Sequence, residues 1–290
     1  MSNKIYDVKL QDGVAVITVD APPVNTITAA VRSGLNEALD EVAKLSGVKA
    51  IVLACKGSTF FSGADIGEFS GPPKEAEYRA LFARFENQNV PVVAALFGTS
   101  LGGGYEITLA CHYRIANART RIGFPEVNLG IIPGAGGTQR LPRLIGAEKA
   151  LEMIISTKML DAKTALEYGA IDRIAEGDVN AAAVEYAKEL VAAGKGPRRT
   201  SEMSVKPETA TPEIFANFRA ANAKKLVQGK VISQEDPERP LQRFASEFYI
   251  DITKCVFCGY CVEACPVNAL AMTKMTHMNS KSAVAPKRMA

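Results

Sequence analysis

Two stretches of the chain gather residue types that could do chemistry. In the first, Glu106 closes Ser100-Leu-Gly-Gly-Gly-Tyr-Glu106 and Glu126 closes Gly123-Phe-Pro-Glu126. Carboxyl groups serve as general acids and bases when their surroundings pull their pKa values apart. A lone glutamate is usually solvated or ion-paired, but Glu106 falls among Ile107, Leu109 and Ala110, where that reading is weak. Glycines at a strand–helix junction are ordinarily turn formers. They also let a backbone N–H come close to a ligand, and a helix N-terminus adds a favourable dipole for negative charge. In the second stretch, Cys255, Cys258, Cys261 and Cys265 crowd together ahead of Pro266. Clustered cysteines in a chain whose N-terminus, MSNKIYDVKLQDG, lacks an apolar signal core suit metal better than disulfides.

Alternating elements must position these residues. Val14–Val19, Ala50–Ala54, Val92–Leu96 and Tyr113–Ala116 read as strands, and Asp20-Ala-Pro-Pro23 as a turn. Thr28 is placed to cap a helix with apolar positions Val31, Leu35, Leu39, Val42 and Leu45. Further helices are expected over Glu75–Asn87, Gly102–Ala110, Thr138–Ser156 with a break near Gly146, Asp161–Tyr168, Asp178–Ala193 and Glu213–Val227. Asp161 reads as an N-cap, and Gly169 and Gly194 as stops. Gly123–Glu126 reads as a loop. Gly134-Ala-Gly-Gly137 lacks the lysine and spacing of a phosphate loop and reads as backbone geometry near the site. Cys55 and Cys111 read as small core residues, and His112 as a satisfied helix-end histidine. Strands alternating with helices indicate a layered α/β core.

Three segments taken together carry a resemblance. Phe61-Ser-Gly-Ala-Asp-Ile66, Ser100–Glu106 and Gly123–Arg140, in this order, make residues 5–195 resemble the enoyl-CoA hydratase (crotonase) family. The wording is similar to the hydratase portion of bifunctional fatty-acid oxidation enzymes. The resemblance implies a crotonase spiral of ββα units with a helical C-terminal region. It implies an acyl-CoA thioester substrate bound at Ala64, Asp65, Ile66 and Gly103, with the amides of Ala64 and Gly103 as the oxyanion hole. It assigns Glu106 to activating water and Glu126 to proton transfer at Cα. The expected reaction is hydration of a 2-enoyl-CoA to a 3-hydroxyacyl-CoA, which needs no cofactor. Family members keeping both glutamates are usually hydratases, whereas those keeping only the second are often isomerases, so isomerisation is the alternative. The family also implies a homotrimer or dimer of trimers, weakened here by an altered C-terminus.

The cysteine spacing is C-x₂-C-x₂-C-x₃-C-P, the bacterial ferredoxin run for a [4Fe–4S] cluster. Residues from about Phe244 to Met275 resemble the iron–sulfur subunit of NADH:quinone oxidoreductase (complex I). In two-cluster ferredoxins the fourth cysteine ligates the other cluster, yet this chain has a single run. Cys265 therefore has no second cluster to serve, and the tail reads either as a bound [4Fe–4S] site or as a fused remnant. An electron-transfer or complex-assembly role is the alternative of another class. The expected organisation is a core over 1–195, a partial helical region over 196–232 and a linker over 233–243. A half-ferredoxin segment over 244–275 and a disordered tail over 276–290 follow.

Composition sets outer bounds. The chain has 290 residues, 47% hydrophobic and 22% charged, with a net charge of +3, which calls for no nucleic-acid partner. No apolar run reaches the length of a membrane span. A cytoplasmic enzyme is the expectation.

Overall fold

The computed structural model describes residues 4–70, 74–129 and 131–228. Tyr6–Gln11 (β1) and Val14–Val19 (β2) form an antiparallel hairpin whose register closes on Gln11 opposite Val14. Its two-residue turn is Asp12-Gly13, both at positive φ, the backbone that matches the twist of paired strands. Ala29–Val42 (α1) follows, with the Thr28 hydroxyl accepting from the Val31 N–H. Ala50–Cys55 (β3), Glu75–Glu86 (α2), Val92–Leu96 (β4), Thr99–Leu101 (β5) and Gly103–Ala110 (α3) come next. Tyr113–Asn117 (β6), Arg121–Gly123 (β7), Gly137–Ile145 (α4) and Ala147–Ile155 (α5) lead to Leu160–Asp161 (β8) and Ala162–Tyr168 (α6). Arg173–Ala175 (β9), Val179–Ala192 (α7) and Pro212–Gln228 (α8) complete the described chain.

Among the described residues, β1-β2-β3-β4-β6-β9 make one sheet, parallel from β2 onward, and β5-β7-β8 make a smaller one. Strands β2, β3 and β4 of the larger sheet are covered on both faces, so they read as nearly continuous apolar runs. Their period of two divides the burial. Val16, Val52, Ala54, Val93, Ala95 and Ile115 face α7, meeting Ala183, Val184, Ala187 and Leu190. Ile17, Ile51, Leu53, Cys55, Ala94 and Leu96 face the other way, into the larger core shared with α1, α2 and α3. Helix α3, which carries Glu106, packs on that second side.

The expected caps are present. Asp161 and Asp178 accept from the third residue onward, at Thr164 and Ala181, and Gly169 closes α6 in the left-handed region. Thr138–Ser156 breaks at Gly146 into α4 and α5. Three details differ from expectation. The hairpin strand β1 and the short strands β5 and β9 carried too little apolar patterning to be expected. Glu126 follows strand β7 as expected, but begins a 3-10 turn, Glu126–Leu129, instead of lying in a plain loop. Helix α3 starts at Gly103, with Gly102 as its cap.

The segment after α7 is tied down by arginines. Arg198 donates to the His112 carbonyl and to Asp172, Arg199 to the carbonyls of Glu86 and Gln88, and Thr200 is buried. Phe215 of α8 packs on Ala147 and Leu151 of α5. Among the described residues no helix is long and apolar enough to cross a membrane. The linker, the cysteine run and the tail lie outside the described residues.

Candidate active site

Helix α3 is the centre of the site, and its own sequence explains its placement. Gly102 has φ of 51°, a left-handed backbone that glycine adopts without strain, and its N–H donates to the Gly123 carbonyl at 2.9 Å. A methyl group on Gly102 would lie 2.9 Å from Oε1 of Glu126. A methyl on Gly104 would fall 2.1 Å from the Phe61 carbonyl oxygen, so the helix enters in direct contact with the Phe61–Ala64 segment. At the far end, the buried Arg114 donates to the carbonyls of Thr108, Cys111 and Ala170. A cation there satisfies terminal carbonyls and complements the helix dipole.

Ala64 and Gly103 are brought together. A methyl built on Gly103 would lie 3.4 Å from the Ala64 nitrogen. Gly103 is the first residue of α3, so its N–H has no acceptor within the helix. Ala64 pairs with Ile27 through a bridge in which the Ile27 N–H donates to the Gly63 carbonyl. Two further residues hold that bridge. The Tyr78 hydroxyl donates to the Ile27 carbonyl at 2.6 Å, and Asn25 donates to the carbonyls of Lys56 and Thr59. Asp65 accepts from the Gly67 N–H, and Ile66 is exposed. Asp65 also borders an opening of about 640 Å³ lined by Ala21, Pro22, Thr26, Thr28 and Val31.

The two glutamates are both buried but held differently. Oε1 of Glu106 accepts from the N–H groups of Ala135 at 2.8 Å and Gly137 at 2.7 Å. The Gly134–Gly137 loop is thus a cradle for Glu106. It can close this tightly because a methyl on Gly137 would meet Phe124 at 2.8 Å and Glu106 at 3.0 Å. Oε2 of Glu126 is buried and has no protein partner. Burial pushes the Glu106 carboxyl up to about 7, with the two N–H donors and the Arg140 charge holding it down. Burial pushes Glu126 up to about 8, and the Glu106 charge adds to this. The two N–H donors and the Arg140 charge favour ionisation at Glu106 over Glu126.

Sequence reasoning missed several supporting residues. Arg140, Glu86, Arg32, Tyr78 and Asn25 bond across segments distant in the chain, and no local pattern marks them. His112 is structural, as expected. Its Nδ1 accepts from the Val92 N–H, so Nε2 carries the proton toward the Glu86 carbonyl, and burial lowers its pKa. Cys55 and Cys111 are buried and free, with burial raising both thiols. Cys255, Cys258, Cys261 and Cys265 lie outside the described residues.

Similarity to known proteins bears on the whole arrangement. The family model for enoyl-CoA hydratase/isomerase matches residues 9–248, and that for a 4Fe-4S binding domain matches residues 248–271. The peroxisomal bifunctional enzyme of Danio rerio is 42% identical over 208 residues, which is 72% of this chain and 29% of that one. The chain thus spans less than a third of the length of such bifunctional relatives. A probable enoyl-CoA hydratase of Bacillus subtilis (strain 168) is 35% identical over 240 residues, 80% of this chain and 92% of that one. The crystal structure of the enoyl-CoA hydratase from Bacillus anthracis superposes with a TM-score of 0.60 at 28% identity, covering 78% of this chain and 86% of that one. With its parallel sheet and in-order motifs, the chain belongs to the enoyl-CoA hydratase/isomerase (crotonase) family.

Proposed function

We propose that the chain hydrates 2-enoyl-CoA thioesters to 3-hydroxyacyl-CoA in fatty-acid oxidation. The observation that carries this reading is the buried carboxyl pair at the N-terminus of α3, beside the facing backbones of Ala64 and Gly103. In this reading Glu106, ionised, takes a proton from water as the oxygen bonds to Cβ. The electron pair of the double bond moves onto the thioester oxygen, where the Ala64 and Gly103 N–H groups hold the enolate. Glu126, protonated and without a protein partner at Oε2, gives its proton to Cα. The cycle ends with the proton on Glu106 and the charge on Glu126, and transfer of one proton between them resets the site. Ala64, Asp65, Ile66 and Gly103 bind the thioester, and the opening beside Asp65 takes the carrier portion of the substrate.

Purified protein should hydrate crotonyl-CoA without added cofactor. Double-bond isomerisation in the absence of any hydration would overturn the assignment in favour of the isomerase.

We assign the cysteine run no step, because hydration transfers no electrons. Its spacing supports a [4Fe–4S] cluster on Cys255, Cys258, Cys261 and Cys265, and anaerobic purification with iron and sulfide analysis tests this. A colourless, iron-free protein would remove the cluster and the electron-transfer alternative together. A cytoplasmic setting and a homotrimer or dimer of trimers complete the proposal. Sedimentation velocity reads the assembly.

A further inference from the structure

The hydration mechanism leaves unused an ion pair directly behind Glu106, with its carboxylate buried and its guanidinium mostly so. Glu86, at the end of α2, is 4% exposed. Arg140 of α4 donates to Glu86 Oε2 from Nη2 at 2.7 Å and from Nε at 3.2 Å. The same guanidinium donates from Nη1 to the Ala135 carbonyl at 3.2 Å. The other side of Ala135 donates its N–H to Glu106. A methyl on Gly136 would fall 2.1 Å from Nη1 of Arg140, so the guanidinium lies directly on this loop. Behind Glu86, its Oε1 accepts from the Ser201 N–H at 2.8 Å, and Arg199 donates to its carbonyl. An unbroken series of contacts runs from residues 199–201 through Glu86 and Arg140 to the cradle of Glu106.

Stability alone is a weak reason for such a pair. Replacing a buried ion pair by apolar residues of similar volume is often neutral or stabilising. We infer that Arg140 is a positioning residue for Glu106, clamped by Glu86 and the 199–201 segment so that the 135–137 loop presents its two N–H groups to that carboxylate. The inference rests on the hydratase reading in taking Glu106 as the base. The groups facing Glu106 are Glu126 from the 3-10 turn and Arg140 from α4, with Glu86 of α2 beyond the arginine. Phe124 and the 135–137 backbone supply the rest of its surroundings. Arg140 bears on the two carboxyls unequally. Its charge holds Glu106 down and has no counterpart at Glu126. Against its burial, Glu86 is itself kept below the ordinary carboxylate range by Arg140 and Ser201.

The test uses the full chain with Arg140→Gln and Arg140→Lys. Two readouts are taken across pH: kcat and KM for crotonyl-CoA, and the protonated-carboxyl infrared band of Glu106, assigned by its loss in Glu106→Gln. Arg140→Gln should move the Glu106 titration to higher pH and lower kcat at least about tenfold at pH 7, with KM within about twofold. Arg140→Lys keeps the charge but replaces the three nitrogens that hold Glu86 and Ala135 by a single ammonium, losing the forked grip on Glu86. It should restore the titration while retaining part of the kcat loss. If Arg140→Gln does not fold, Arg140→Lys still decides. Wild-type kcat in Arg140→Lys, or an unmoved Glu106 titration in a folded Arg140→Gln, would overturn the inference. A wild-type protein that fails to hydrate would instead overturn the proposed reaction, and the infrared titration would still report on Arg140.

Discussion

The surroundings of Glu106 and Glu126 differ more than the two residues do. Glu106 is held by a loop that supplies two N–H groups, and a clamped arginine stands behind it. Glu126 sits over Gly102 with one oxygen unpartnered, raised mainly by burial and by its neighbour's charge. The donors favour the charged form at Glu106, and Glu126 lacks such a cradle, which is the difference between the two carboxyls that the proposed hydration would use.

The largest test of this contrast removes each carboxyl in turn. Glu106→Gln and Glu126→Gln should each lower kcat for crotonyl-CoA by about 10²–10⁴, the usual worth of a positioned acid or base. Retained activity in either would break the pairing. Next in size is Gly137→Ala, where the new methyl must displace Phe124 or Glu106. Misplacement by about 1 Å can cost about 10² in rate, so kcat should fall by up to that factor while the circular dichroism spectrum is preserved. A third test reads the asymmetry itself. In Glu106→Gln the Glu126 carboxyl should titrate at lower pH, because the neighbouring charge is gone. In Glu126→Gln the Glu106 titration should move little. Equal shifts, measured by the infrared carboxyl bands, would show that the two environments are equivalent.

The smallest effect is on stability. The folded-state pKa of Glu126 lies above the ordinary value of 4.5, so its burial is favourable at low pH and becomes costly as pH rises toward about 8. Glutamine does not titrate. The Tm of Glu126→Gln relative to wild type should therefore climb between pH 5 and pH 9, by a few degrees. A flat difference would mean that Glu126 is not held protonated by the fold.

Much of this arrangement was legible in the sequence, for specific physical reasons. Strands β2, β3 and β4 are buried on both faces, and their apolar runs announce them. Thr28, Asp161 and Asp178 announce helix starts because capping is local. The hairpin strand β1 has a mostly exposed burial pattern and left no such trace, although Asp12-Gly13 is a strong hairpin-turn signal. Both glutamates stood out through their motifs. Arg140, Glu86 and Tyr78 did not, because each has a hydrogen-bond partner more than fifty residues away in the chain. The stretch around Gly196–Thr200 reads as a change of character, since its anchors are arginines on backbone carbonyls, which leave no apolar period. Cys255, Cys258, Cys261 and Cys265 are legible only as spacing.

The glycine triplet has a consequence for how the chain can evolve. Gly102 is constrained by its backbone angle and by Glu126, Gly104 by the Phe61 carbonyl, and Gly103 only by ordinary contact with Ala64. Three adjacent identical letters are therefore under unequal constraint. A saturation library should separate them. Gly104 should reject every substitution at the level of soluble expression. Gly103 should admit alanine without loss of fold. Gly102 should accept small substitutions in the folded protein only at the expense of turnover, so selection on activity sees two fixed glycines where selection on folding sees one.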